Sequence, residues 1–226
     1  MSYYFSRVRL SSQPQGRELL RSLSAQGDAY FDHALIWRLF PGDGEARDFL
    51  FRREREGDGP LSYYAVSQRA PQAVLGMLTV QSKPYEPQLV VGERVRFDLR
   101  ANPVVTRKTK GGKSQRHDVL MDAKQQAKAN KLDKSGCRDA MDAAALEWLA
   151  KRAPEWGLSV QMESVLTNGY AQHRLRSKGR SIEFSSLDYC GMAQVTDPER
   201  LAVALVEGVG HARGFGCGLL LIKRQR

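Results

Sequence analysis

Hydrophobic and polar residues alternate along several short stretches of the 226-residue chain, and each such stretch is predicted to be a strand. The alternation is clear in residues 2–10 and 93–99, and strands are also predicted over 47–53, 61–68, 158–166, 171–176, 180–187, 189–195 and 219–222. Apolar residues at helical spacing instead predict helices over residues 28–40 and 139–152. A helical turn is expected over 16–24, and a further helix is expected to begin at Asp197-Pro198-Glu199 with a cap, a first-position proline and an acid.

The helix predicted from residue 28 has two different faces. Asp28 can cap its start, and Pro41 marks its end because the residue before a proline resists helical geometry. At 100° per residue one face points towards a core and carries Phe31, Leu35 and Leu39. The other face carries Tyr30, His33 and Trp37.

The order of these elements predicts the fold class. Strand, helix, two strands, an ambiguous element at 73–80 and a strand form the order of a ferredoxin-like domain, whose boundary we place near residue 92. The second half also has strands and helices, so we expect an α+β chain of two tandem ferredoxin-like (RRM-like) domains. These are an N-terminal domain, 1–92, with the helix at residue 28, and a degenerate C-terminal domain, 93–226.

Three features of the second half are also predicted. Residues 107–134 are rich in Lys, Gly and Gln, so we expect a mobile basic loop in which 123–131 is transiently helical. Asn168-Gly169 indicates a turn. A hairpin over 171–187 is predicted to carry four basic residues without a nearby acid, namely Arg174, Arg176, Lys178 and Arg180.

Composition narrows the classes of partner. The formal net charge of +10 favours a polyanion, with nucleic acid as the first candidate, although a basic surface that binds nothing is the alternative. No apolar run is long enough to span a bilayer, so no membrane partner is expected. Cys137, Cys190 and Cys217 are odd in number, far apart and without metal-ligand spacing, which favours reduced thiols in the cytoplasm and no metal site.

The segment 208–218 is rich in glycine. It lacks the G-K-[ST] ending of a P-loop and the G-x-G-x-x-G spacing of a dinucleotide site, so no nucleotide cofactor is expected. Glycines do let backbone amides approach a phosphate chain, which makes Gly210, Gly214 and Gly216 candidate RNA contacts beside His211 and Arg213. A tight turn packed between two domains explains the same glycines equally well.

The helix at residue 28 also carries candidate chemistry. Tyr30 and His33 lie three residues apart and are neighbours on one face, and Arg38 follows about a turn later. An imidazole beside a phenol and a guanidinium is suited to proton transfer at a phosphate. The alternative is a surface histidine beside an interface tyrosine.

Three stretches together resemble the CasE family, the CRISPR repeat-processing endoribonucleases of type I-E systems. They are Tyr30-Phe31-Asp32-His33 with Trp37-Arg38-Leu39-Phe40-Pro41, then Phe97-Asp98-Leu99-Arg100-Ala101-Asn102-Pro103, and Gly216-Cys217-Gly218-Leu219-Leu220. The resemblance implies metal-independent, cofactor-free cleavage of precursor CRISPR RNA at the base of the repeat hairpin. It also implies that the product stays bound and that the protein joins other subunits of Cascade, the antiviral surveillance complex.

The resemblance assigns roles to individual residues. The family's histidine and tyrosine map onto His33 and Tyr30, and Arg38 stands where some members carry a basic residue. The four basic hairpin residues match a hairpin that enters the groove of the RNA stem, although the hairpin differs in sequence. Residues 122–139 also depart from the family by being longer and more basic.

A mechanism follows from this resemblance and from RNA chemistry. The ribose 2′-hydroxyl is the nucleophile, and His33 acts as acid or base, which the sequence leaves open. Tyr30 orients the phosphate or nucleophile, and Arg38 stabilises charge. The alternative is a non-catalytic RNA-binding scaffold that caps a guide RNA hairpin; the absence of an RNP-type run argues against a generic RRM.

Overall fold

A computed structural model describes residues 2–42, 46–54, 60–108, 112, 114–177 and 180–225, with the backbone alone at 176, 177 and 180. Its contacts divide the chain into two compact units. The first unit contains Met1–Gln88, His173–Glu183 and Ala204–Leu219, and the second contains Leu89–Gln172, Phe184–Val203 and Leu220–Arg226. The boundary placed near residue 92 for separate domains stays a prediction.

The first unit is built on a four-stranded antiparallel sheet with strand order β2-β3-β1-β4. Its elements are β1 (Tyr4–Leu10), α1 (Arg17–Ser24), α2 (Asp28–Trp37), β2 (Phe49–Arg53), β3 (Ser62–Ser67) and β4 (Leu78–Pro84). The predicted strands and helices are therefore present, and the ambiguous stretch at 73–80 leads into β4. Pro84 pairs with Tyr4 as the last residue of β4, and the chain has no regular structure from residue 85 to residue 90.

Helix α2 packs its apolar face into the core of this unit, as predicted. Phe31, Leu35 and Leu39 are buried together with strand residues such as Val8 and Phe51. The helix starts without the expected Asp28 cap, since Gly27 holds the cap position and no side chain bonds there. It ends at Trp37, a few residues before Pro41.

A buried polar contact also ties α2 to the sheet. The hydroxyl of Tyr63, on β3, donates to Oδ1 of Asp32 at 2.5 Å, and both residues are almost fully buried. Burial and the neighbouring carboxylate raise the pKa of Tyr63, which keeps the hydroxyl protonated as the donor. This bond fixes the rotation of the helix that carries His33.

The second unit contains another four-stranded sheet, with strand order β10-β5-β9-β8. Its strands are β5 (Arg94–Ala101), β8 (Leu158–Ser177), β9 (Arg180–Val195) and β10 (Leu220–Arg224), joined by α4 (Lys134–Arg152) and α5 (Pro198–Glu207). The order strand, helix, two strands, helix, strand is the ferredoxin-like order and confirms the predicted fold class. Asp197 caps α5 as predicted, because its Oδ1 accepts from the amides of Glu199 and Arg200, each at 3.1 Å.

The prediction of a mobile loop over 107–134 is wrong. Strands β6 (Val104–Lys108) and β7 (Ser114–Asp118) pair, and α3 (Val119–Ala129) follows directly. Asp118 caps α3 by accepting from the amides of Leu120 and Met121, and Leu120 and Ala127 are buried. A capping aspartate and two buried side chains stabilise α3 within a composition that is otherwise polar.

The turn predicted at Asn168-Gly169 is also wrong. β8 runs through both residues and continues to Ser177. Gly169 adopts a positive φ of 66°, and its amide bonds to the Asn168 side chain, so the motif makes a local irregularity within a strand. The predicted hairpin is consequently longer than expected on both sides.

None of the helices in the described part of the chain has the length and apolarity that a bilayer crossing requires.

We predict that Tyr63→Phe costs about 1–3 kcal/mol of unfolding free energy, because it removes a hydrogen bond to the buried carboxylate of Asp32, which keeps Arg53 at 3.7 Å. Tyr189→Phe is the matched control, since Tyr189 is equally buried but donates to the Ala145 carbonyl over a longer 3.3 Å. Urea unfolding followed by circular dichroism measures both variants. A Tyr63→Phe cost no larger than that of Tyr189→Phe would contradict this role for the bond.

Candidate active site

His33 lies near the middle of α2 and is half-buried. Its Nδ1 lies 2.7 Å from the carbonyl oxygen of Gly214, which belongs to the glycine-rich segment of the same unit. A carbonyl oxygen only accepts, so Nδ1 carries the hydrogen in the neutral and in the charged ring. Nε2 is therefore the nitrogen that exchanges a proton: it accepts when the ring is neutral and donates when the ring is charged.

Aromatic rings surround this imidazole. Its centroid lies 5.1 Å from the ring of Phe215, 6.0 Å from that of Trp37 and 6.4 Å from that of Tyr30. The expectation that Tyr30 and His33 are neighbours is confirmed, while their roles in a reaction stay predictions. Phe215 was not anticipated, because it comes from a segment far away in sequence.

The charge state of His33 is set by its surroundings. Burial lowers the pKa of its imidazole below the ordinary value; the hydrogen bond to Gly214 opposes that shift, and the positive charge of Arg47 adds to it. A lowered pKa leaves more of the ring neutral near pH 7, with an unprotonated Nε2. The neutral ring of His33 can therefore accept a proton at Nε2.

Arg47 and Arg213 form a pair of neighbouring cations that the sequence did not indicate, and the charge of Arg47 acts on His33. Burial, and then the charge of Arg213, lower the pKa of Arg47. Both side chains line a cavity of about 290 Å³ in the first unit, together with Tyr3, Gln68 and Glu207, whereas His33 does not line it. Arg213 also donates from Nη1 to the carbonyl of Glu207 at 2.5 Å and thus satisfies an exposed end of α5.

Arg38, the predicted charge stabiliser, is exposed and immediately follows the last residue of α2. The charge that lowers the pKa of His33 is that of Arg47. The role given to Arg38 stays a prediction.

The glycine-rich segment folds into a compact loop that holds Gly214 in place. The amide of Val209 donates to the carbonyl of Gly218 at 2.9 Å, which closes the loop. Gly218 needs its positive φ of 85°, and a β-carbon there would lie 2.5 Å from the carbonyl oxygen of Val209. These contacts agree with the expectation of a tight turn. The phosphate contacts expected for this segment stay a prediction.

The predicted RNA contacts in this loop occupy different environments. Gly210 and His211 are exposed, and nothing lies within 4 Å of where a Gly210 β-carbon would be. Gly216 is buried, and a β-carbon there would lie 3.3 Å from the Phe51 ring. Gly214 already uses its carbonyl for His33.

The basic hairpin differs from the prediction in one respect. Arg174 is exposed, but its Nε lies 2.8 Å from a carboxylate oxygen of Glu183, so the expectation of no nearby acid is wrong. The sequence did not indicate this pair, because Glu183 alternates with apolar residues on the facing strand and meets Arg174 only through the pairing of the two strands. Only the backbone is described for Arg176 and Arg180, and Lys178 lies outside the described residues.

The end of this hairpin belongs to the same compact unit as His33. Leu175 is buried, and a β-carbon added to Gly27, just before α2, would lie 4.0 Å from its Cδ2. The structure therefore brings the hairpin end next to the start of the helix that carries Tyr30 and His33.

No group of three or more His, Cys, Asp or Glu side chains in the described ranges is arranged to hold a metal ion. Metal independence stays a prediction that depends on an experiment.

Curated relatives are similar over most of their length. The Cascade subunit CasE of Escherichia coli K12 is 28% identical over 202 residues, which cover 85% of this chain and 90% of that protein. The CRISPR-associated endoribonuclease Cse3 of Thermus thermophilus is 26% identical over 201 residues, covering 83% of this chain and 79% of that one.

A solved structure has the same fold. Thermus thermophilus Cse3, bound to an RNA representing a pre-cleavage complex, superposes with a TM-score of 0.68 at 21% identity, covering 99% of this chain and 100% of that chain. The sequence model of the family described as CRISPR associated protein matches residues 3–224. Because that match includes nearly the whole sequence, the chain belongs to this family.

Proposed function

We propose that this chain is a metal-independent endoribonuclease that cleaves precursor CRISPR RNA at the base of the repeat hairpin. After cleavage it keeps the mature guide RNA and acts as a subunit of Cascade. The observation that carries the proposal is the Gly214 carbonyl on Nδ1 of His33, which makes Nε2 the proton-exchanging atom. The relatives named CasE and Cse3 support the choice of substrate and assembly.

The chemistry follows from RNA itself. Neutral His33 accepts the proton of the 2′-hydroxyl at Nε2 while the 2′-oxygen attacks the adjacent phosphorus. The bond to the 5′-oxygen breaks, which yields a 2′,3′-cyclic phosphate and a 5′-hydroxyl once that oxygen is protonated. Since the pKa of His33 is lowered, we assign it the base, the choice that the sequence left open.

Other residues take supporting roles in the proposal. Tyr30 is the neighbouring hydroxyl and orients the phosphate or the nucleophile. Positively charged side chains stabilise the phosphorane, and Arg38 remains a candidate for this role.

Binding is assigned to the basic surface of the protein. With a net charge of +10, the chain is suited to the phosphates of an RNA stem, which proteins recognise largely by shape and backbone contacts. The hairpin end with Arg174 and the exposed loop residues Gly210 and His211 are the proposed contacts. The three cysteines form no disulfide with one another, which supports the cytoplasmic location that we propose.

The first test separates the proton-exchanging role of His33 from its anchoring role. His33→Asn keeps an N–H for the Gly214 carbonyl but has no nitrogen that titrates near neutral pH. We expect it to bind a repeat hairpin RNA normally and to cut it about 10²–10⁴-fold more slowly in EDTA. Single-turnover cleavage followed on gels, beside filter binding, measures both quantities.

The matched control for this test is His117→Asn in the second unit, which should cut at the wild-type rate. Wild-type cleavage by His33→Asn, or loss of wild-type cleavage in EDTA, would contradict the mechanism. Tight binding without any product from the wild-type protein would instead favour the RNA-binding scaffold.

The second test concerns the hairpin. Arg174→Ala should weaken binding and reduce the slope of log affinity against log salt by about one, because one phosphate contact is lost. Glu183→Gln should strengthen binding at low salt, since it releases Arg174 from its ion pair. Arg152→Ala removes an equal charge from the end of α4 as a control. If the slope of log affinity against log salt is unchanged in Arg174→Ala, the RNA does not contact the hairpin at Arg174 and this assignment is wrong.

A further inference from the structure

Arg47 occupies a special position beside His33. It precedes β2 and is half-buried. A β-carbon added to Gly214 would lie 3.3 Å from Nη1 of Arg47 and 3.9 Å from Nδ1 of His33. The guanidinium and the imidazole therefore approach the same side of one glycine, and a side chain at that position would crowd the guanidinium.

Within the described ranges no carboxylate forms a salt bridge with Arg47, although Glu207 lines the same cavity. The adjacent carboxylate, Asp48, is held by Arg69 through two bonds of 2.7 and 2.9 Å. The electrostatic neighbour of Arg47 is a second cation, Arg213, whose charge lowers the pKa of Arg47. A half-buried cation beside another cation is unfavourable until an anion binds, and a guanidinium favours phosphate because it can donate two parallel hydrogen bonds.

We propose that Arg47 is a catalytic residue that binds a non-bridging oxygen of the phosphate on which His33 acts, with Arg213 adding positive charge behind it. This inference rests on the proposed function. It gives Arg47 the task of neutralising the phosphorane, whereas Arg38, exposed beyond the end of α2, is left for contacts outside the reacting phosphate.

The arrangement also couples substrate binding to the charge of His33. In the free protein, the charge of Arg47 lowers the pKa of His33 and helps keep Nε2 unprotonated. Tyr30, on the same helix, is the titratable side chain next to the imidazole, and Arg47 comes from the segment before β2. A bound phosphate neutralises Arg47, and this raises the affinity of Nε2 for the proton of the 2′-hydroxyl as the reaction begins.

The test compares Arg47→Gln and Arg47→Lys with Arg21→Gln, which removes an equal charge from the exposed surface of α1. Saturating protein and repeat hairpin RNA give the single-turnover cutting rate. RNA with a 2′-deoxy nucleotide before the cut gives the affinity without reaction. We expect Arg47→Gln to cut about 10²–10³-fold more slowly, the loss typical of one missing donor to a developing anion. Its affinity for the 2′-deoxy RNA should fall by a much smaller factor than its cutting rate.

A second measurement detects what a merely structural residue would not change. NMR titration of His33 in the free protein should give a higher pKa in Arg47→Gln than in the wild type, because a nearby positive charge is gone. Arg47→Lys keeps a charge but loses the paired donors, so it should cut about tenfold more slowly than the wild type. That variant decides the question if Arg47→Gln fails to fold.

The outcomes separate this inference from the proposed function. If the wild type and Arg21→Gln cut and either Arg47 variant cuts at the wild-type rate, the inference is overturned and the function stands. If Arg47→Gln loses affinity for the 2′-deoxy RNA in proportion to its rate, Arg47 is a binding residue only and the inference also fails. If the wild type does not cut repeat RNA at all, both the function and the inference fall.

Discussion

The hydrogen bond between Nδ1 of His33 and the carbonyl of Gly214 joins residues 181 positions apart in sequence, and the chemistry depends on it. It fixes which nitrogen carries the permanent proton, and it holds the ring against Phe215. The loop that supplies the carbonyl is shaped by glycines whose backbones or neighbours exclude a side chain, Gly218 above all. The glycine-rich sequence therefore serves the imidazole directly, through backbone geometry.

This contact sets two opposing requirements for the site. Burial among aromatic rings favours a neutral imidazole, which suits a base, while a reacting phosphate requires positive charge close by. We propose that Arg47, which comes from the segment before β2 and not from the helix of His33, meets the second requirement. The neutral imidazole of His33 lies on α2 and the cation Arg47 lies before β2. Because different elements hold them, His33 can stay neutral while Arg47 stays charged.

Much of the fold could be predicted from local patterns. The buried face of α2, the alternation of β1 and β5 and the capped start of α5 each follow from spacings of a few residues. The segment from 107 to 134 could not be predicted in this way. Within it, α3 depends on one capping aspartate, on a few buried side chains and on packing against α4, which the polar composition does not indicate.

The site was predictable in part for the same reason. Tyr30 and His33 are three residues apart on one helix, so their proximity follows from helical geometry. Arg47, Phe215 and the Gly214 carbonyl reach His33 only through tertiary folding, and no local pattern marks them. Arg38 was chosen from its distance along the chain, but the helix ends just before it and leaves it exposed. The pairing of Arg174 with Glu183 likewise depends on strand register across the hairpin.

The central claim is that the Gly214 carbonyl keeps a proton on Nδ1 and leaves Nε2 free at neutral pH. Nitrogen-15 NMR of the histidine rings between about pH 5 and pH 8 tests it most directly, since the reference pKa of about 6.5 lies within that range. For His33, the account predicts a protonated Nδ1 throughout and an Nε2 that loses its proton as pH rises, with a midpoint below that reference value. A neutral ring protonated on Nε2, or a midpoint above the reference value in the free protein, would contradict it.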